Sequence, residues 1–179
     1  MVEGGAEMKN KKMLISLVVA LIILLVLAYQ YLSLRQSYNN LKDQVKYEIT
    51  SHLSSSMDFA NRIDLDKLAV GDKNSIINMM YMYGEISNLD AILTTTYFYG
   101  KIDVIDPLVM RDYKFMLMEI VNKLTQNQFN SEDIDNINMI TDDIKEIYKY
   151  VSENSELSSE KYIKELAPEL KLYQKKQGK

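Results

Sequence analysis

The chain has 179 residues, a formal net charge of −4, a pI near 5.1 and no cysteine. The missing cysteines exclude disulfides, thiolate catalysis and zinc–thiolate sites. The acidic balance argues against a nucleic-acid surface, which needs clustered cations. Hydrophobic residues make up 47% of the chain, too many for a disordered sequence. The lean towards Lys, Asn, Ile and Tyr resembles the output of an AT-rich bacterial genome.

Residues 1–12 read as a short polar tail that would lie in the cytoplasm. From Met13 to Tyr29 the chain carries no charge. As a helix this run spans roughly 26 Å, just under a bilayer core of about 30 Å, so residues 13–29 are assigned as a transmembrane helix. Tyr29, Tyr31 and the stem of Lys12 extend it at the two interfaces. Lys9, Lys11 and Lys12 precede the run, and the first cation after it is Arg35. That bias places the N-terminus in the cytoplasm and the bulk of the chain outside, in the cell membrane as a single-pass protein, although Lys42 and Lys46 weaken it. A signal peptide cleaved near Ala28, with Val26 and Ala28 as its small residues, is the alternative, and it would leave a secreted protein. The run is longer than a usual signal core of about 7 to 15 residues, and it stays apolar to the cut. An uncleaved anchor is therefore favoured.

Beyond the anchor the chain reads as all-α. Two prolines and six glycines leave the interior nearly free of breakers. Leu34, Tyr38, Leu41, Val45, Ile49, Leu53, Met57 and Ala60 recur at spacings of three and four, which predicts a helix over 30–62 continuous with the anchor. Asp64 to Lys73 reads as a polar connection turning at Gly71. A second helix over 74–99, capped by Asp72 or Asn74, carries Ile76, Met79, Met80, Tyr83, Ile86, Ile92 and Leu93 and stops at Gly100. Asp106 and Pro107 open a third helix over 107–128 with Leu108, Phe115, Met116, Ile120, Val121 and Leu124 inward. Ser131 caps a fourth over 132–153, striped by Ile134, Ile137, Ile140, Ile144, Ile147, Tyr148 and Val151. Ser158 or Ser159 opens a fifth, short helix over 159–167. Residues 168–179 read as a polar basic tail. The simplest arrangement that buries all of these faces is an antiparallel bundle of about four helices, over 30–167, behind one transmembrane helix.

Few residues suggest chemistry. His52 is the sole histidine, four positions after Glu48 on one helix, and two ligands are too few for a tight metal site. Its readings are a structural histidine or a pH-sensitive one. The acids at Asp64/Asp66, Asp103/Asp106 and Glu132/Asp133/Asp135 suit helix starts and solvated faces. A calcium loop beginning at Asp133 fails, because Ile137, Asn138 and Ile144 stand where that loop needs Asp or Asn, Gly and Glu. No glycine-rich phosphate loop, nucleophile elbow or Cys/His pair occurs. No catalytic residue, metal site or cofactor is therefore expected.

The most unusual local feature is the set of Met, Tyr and Phe clusters: Met79, Met80, Tyr81, Met82 and Tyr83; Tyr97, Phe98 and Tyr99; and Phe115, Met116 and Met118. Consecutive residues of this kind cover more than one helix face. They are either an adaptable core with tyrosine hydroxyls reaching solvent, or a surface that binds a protein partner or an apolar ligand. Two functions follow as expectations. The first is a non-enzymatic, membrane-anchored extracytoplasmic interaction or scaffold module for an envelope partner or for itself. The alternative is a ligand-binding sensor that holds a small apolar or aromatic molecule between the second and third helices and signals through a partner.

Overall fold

A computed structural model describes residues 3–98, 105, 107–154, 159–176 and 178. All regular structure among them is helical. α1 runs Glu3–Asn61, α2 Leu65–Ala69, α3 Lys73–Phe98, α4 Pro107–Thr125, α5 Ser131–Glu153, α6 Ser159–Glu165 and α7 Lys171–Lys176, with a 3-10 turn at Ala167–Glu169 before α7. The chain divides into two units, Met1–Asp43 and Gln44–Lys179. Tyr99, Gly100, Asp103, Val104, Asp106 and Ser158 lie outside the described residues, as does the side chain of Phe98.

The first unit is the N-terminal part of α1. Its start at Glu3 lies before the expected tail boundary, in keeping with the helix formers Ala6, Glu7, Met8 and Lys9. From Met13 onward this helix is long and apolar enough to cross a membrane, with a mean hydropathy of 2.7 in its most apolar window and none of that window buried.

The second unit has one hydrophobic core. The C-terminal part of α1 supplies Val45, Ile49 and Leu53. α3 supplies Met79, Met82, Ile86, Leu89 and Leu93, again at spacings of three and four. α4 contributes Met110, Tyr113, Leu117 and Ile120, and α5 contributes Ile137, Ile140, Ile144, Ile147 and Val151. α3 and α4 run antiparallel, since Arg111 reaches Thr94 while the later Lys114 reaches the earlier Asp90.

The expected stripe of α5 holds at Ile137, Ile140, Ile144, Ile147 and Val151, with Tyr148 partly buried, while Ile134 stays partly exposed and Met139 and Tyr150 are buried as well. That of α4 holds in part: Ile120 is buried and Met116, Val121 and Leu124 pack against the core, but Leu108 and Phe115 point outward, and Met110, Tyr113 and Leu117 point inward. This helix is apolar on several sides, so periodicity alone admits more than one phase. The stretch read as a polar connection contains α2, which is capped by Asp64 and sinks Leu68 into the core. Gly71 does turn the chain, at φ +83°, where a side chain would be strained. Asp72 caps α3 by accepting the Ser75 amide at 2.9 Å.

At α5 the cap is Asn130 rather than Ser131. The Asn130 side chain accepts the Glu132 and Asp133 amides, while the Asp133 carboxyl accepts the Asn130 amide at 3.0 Å, which closes a capping box. Within the segment read as a polar tail, Lys171–Lys176 form α7. Leu170 and Leu172 are buried, and α7 packs against α5. Its two leucines carry the burial, while the surrounding lysines hid it from a compositional reading.

Candidate functional site

Among the described residues three aspartates are buried, Asp90, Asp133 and Asp143, and each is engaged by a residue outside its own helix. Asp143 on α5 is 1% exposed. Its Oδ2 accepts the Tyr113 hydroxyl from α4 at 2.9 Å and the Leu172 amide at 2.9 Å, and its Oδ1 accepts the Lys171 amide at 2.7 Å. The two amides belong to the first turn of α7, whose N–H groups have no partner within their own helix. One carboxyl therefore joins α4, α5 and α7. Burial, and then the charge of Asp143, pushes the Tyr113 hydroxyl far above the ordinary phenol range, so this group stays protonated and donating.

Asp133, fully buried, receives the Lys123 ammonium from α4 at 2.8 Å. That contact, and then Glu119, raises the Lys123 ammonium above the ordinary lysine value. Asp90 on α3 meets Lys114 at 2.8 Å and Arg111 at 3.6 Å, both from α4. Around α7 the lysines pair outward. Lys171 reaches Asp142 at 2.6 Å, Lys175 reaches the Asn136 carbonyl at 3.1 Å, and Lys176 pairs with Asp112. The Lys171 ammonium holds the Asp142 carboxyl below the usual carboxylate range.

These acids are cross-braces, and their partners are lysines, an arginine, a phenol, the Thr94 hydroxyl and backbone amides. Asp90 and Asp143 carry a signal in the sequence itself. Asp143 lies three residues after Ile140 and four before Ile147, and Asp90 lies four after Ile86 and three before Leu93. An acid inside an apolar stripe requires a partner.

His52 meets Glu85 of α3, with Nδ1 and Oε2 2.5 Å apart, rather than Glu48, which accepts from Gln44. Among the described residues, no three or more His, Asp or Glu side chains gather as metal ligands. The described acids Asp64 and Asp66 sit at α2, where Asp64 caps the helix and pairs with Lys67 at 2.9 Å.

The Met and aromatic residues divide between core and surface. Met79 and Met82 are fully buried and drop out of any accessible surface, because they occupy the inward positions of α3. Tyr83 and Met116 are half-buried against the core. Met80, Tyr81, Tyr97, Phe115 and Met118 are exposed. Tyr81 stacks on Phe59 of α1, with ring centroids 5.0 Å apart, and the Arg62 guanidinium lies 5.9 Å from the same Phe59 ring. Met79, Met82, Ile86 and Leu89 of α3 and Met110 and Leu117 of α4 are all buried.

Two hollows are formed among the described residues. An apolar groove of about 330 Å³ runs beside α4, lined by Leu108, Val109, Tyr162, Leu170, Leu172 and Tyr173 among others, with Asp112 and Lys176 at its edge. A more polar hollow of about 480 Å³ lies over Asp142, Lys145, Glu146, Glu169 and Lys171. Comparison with family models, curated proteins and solved structures finds no match to this chain.

Asp143→Asn puts an amide NH2 against groups that are all donors, so it should cost about 2–4 kcal/mol of stability. Tyr113→Phe removes one donor and leaves both α7 amides satisfied, so it should cost about 0.5–1.5 kcal/mol. Urea unfolding of the two variants checks the order, and equal costs would contradict the shared role of Asp143.

Proposed function

We propose that this protein is a non-enzymatic, single-pass membrane protein whose helical domain acts outside the cell as an interaction or scaffold module, docking on another envelope protein or on itself. In this reading α1 crosses the membrane within residues 13–29, the N-terminus is cytoplasmic, and the domain is an antiparallel bundle of about four helices. The observation that carries the reading is the apolar run itself. Every side chain from Met13 to Leu27 is exposed, and nothing else in the chain accounts for so much uncovered hydrocarbon. The lysines before the run support the orientation. Surplus apolarity at Met80, Tyr81, Phe115 and Met118 supports a docking role, since thioether and aromatic side chains adapt to a partner surface. The bracing of the buried carboxyls of Asp90, Asp133 and Asp143 by structural partners favours a rigid display domain over a reaction centre.

The absence of cysteine makes orientation directly measurable. Val70 is 84% exposed, so Val70→Cys presents a thiol without disturbing the core. A membrane-impermeant maleimide should label it in intact cells. Labelling only after lysis would place the domain in the cytoplasm and overturn this topology.

A second reading, a sensor for a small apolar molecule, is favoured by the groove beside α4. Its volume lies near the lower end of ligand sites, which run from about 300 Å³ upward, and its lining is mostly aliphatic and aromatic. On this reading, indole should raise the melting temperature of the protein, and Leu108→Lys at the groove should abolish the rise. No shift with the unaltered protein would remove the sensor reading.

A further inference from the structure

The first unit carries a pattern that simple membrane anchoring does not require. Within the apolar run Leu17, Ala20, Leu24 and Leu27 follow spacings of three and four. Beyond the run the same phase continues through Tyr31, Leu34, Tyr38 and Leu41. This is a heptad seam with its a and d positions apolar. Inside the run every face is apolar, so the phase means little there. Outside it the pattern discriminates: Gln30, Ser33, Arg35, Gln36, Ser37, Asn39, Asn40 and Lys42 fill the other positions, and Leu32 is the single exception, at the edge of the run. Leu34, Tyr38 and Leu41 stand 70%, 46% and 45% exposed, and the next residue in the series, Val45, is buried.

We infer that a second copy of this chain covers the seam, in parallel and in register, as a coiled coil running from the membrane through Leu41 of α1. The inference rests on the membrane-anchored reading. A straight α-helix drifts by about 20° per heptad from a strict 3.5 period, so a face held at this period suits a supercoiled helical partner of the same period. Two copies anchored in one bilayer offer that partner: their seams sit at equal heights and point the same way. Charge permits the pairing. Arg35 and Lys42 occupy e positions, and the g positions that approach them from a second copy are Gln30 and Ser37, both neutral. The extramembrane seam is shorter than the roughly three to four heptads that sustain a coiled coil in solution. Confinement to one membrane raises the effective concentration of the second copy, and the run continues the seam into lipid with small Ala20 at a d position.

The test uses the full chain in isolated membranes. Single cysteines replace Tyr31, Leu34, Tyr38 or Leu41 on the seam, and Ser33, Gln36 or Asn40 off it. Mild oxidation should yield disulfide-linked dimer from the seam variants at least about fivefold above the others, because facing a and d positions bring Cβ atoms within disulfide reach. No dimer, equal yields from all positions, or adducts only with other proteins would overturn the inference. Carbonate extraction of the same samples reports on the anchor separately. Protein in the membrane pellet without periodic cross-links overturns the pairing and leaves the anchor standing. Soluble protein overturns the anchor, and there periodic cross-links would still uphold the pairing while their absence would overturn it.

Discussion

Asp143 is the constraint on which the C-terminal half of the helical domain depends. A carboxyl in an apolar interior is unfavourable unless hydrogen-bonded donors surround it. Here the donors come from places far apart in sequence: a phenol on α4 and the opening turn of α7. Each group solves the other's problem. The short α7 has N–H groups with no partner of their own, and the buried carboxyl has oxygens that must be satisfied. Hydrogen bonds of this kind are directional, so the arrangement fixes where the chain end lies. Apolar burial of Leu170 and Leu172 alone would tolerate more than one position.

The same logic recurs at Asp133 with Lys123 and at Asp90 with Lys114 and Arg111. In each case α4 supplies the donor, so α4 is tied to α3 and to α5 by charge as well as by packing. The core between α3 and α4 uses Met79, Met82 and Met110, unbranched side chains that fill gaps without dictating one geometry. Polar braces add the specificity that such a core lacks.

Much of the fold is legible in the sequence where period and capping are unambiguous. Ile137, Ile140, Ile144 and Ile147 of α5 repeat on one face, so their burial follows from spacing. Pro107 marks the start of α4 and Gly71 the turn before α3, each for a backbone reason. Legibility fails where a helix is apolar on several sides, as in α4, because several phases satisfy the same pattern. It fails again at α2 and α7, which are too short for a periodic signal and are held by tertiary contacts. The Asn130 cap and the Ser131 alternative differ by one residue, and only the reciprocal bond to Asp133 decides between them. Of the suspected Met and aromatic surface, Met79 and Met82 were not separable in sequence from the exposed Met80 and Tyr81, since neighbouring residues on a helix face different ways.

The most direct test of this account is the hydrogen exchange of the Lys171 and Leu172 amides in the folded protein. If Asp143 holds the chain end as described, both amides exchange as slowly as the buried centre of α5 around Ile144, because they open only with the domain. Exchange at the rate of an unstructured tail would show that α7 is not held, and would contradict the role of Asp143 as the link between α4, α5 and the C-terminus.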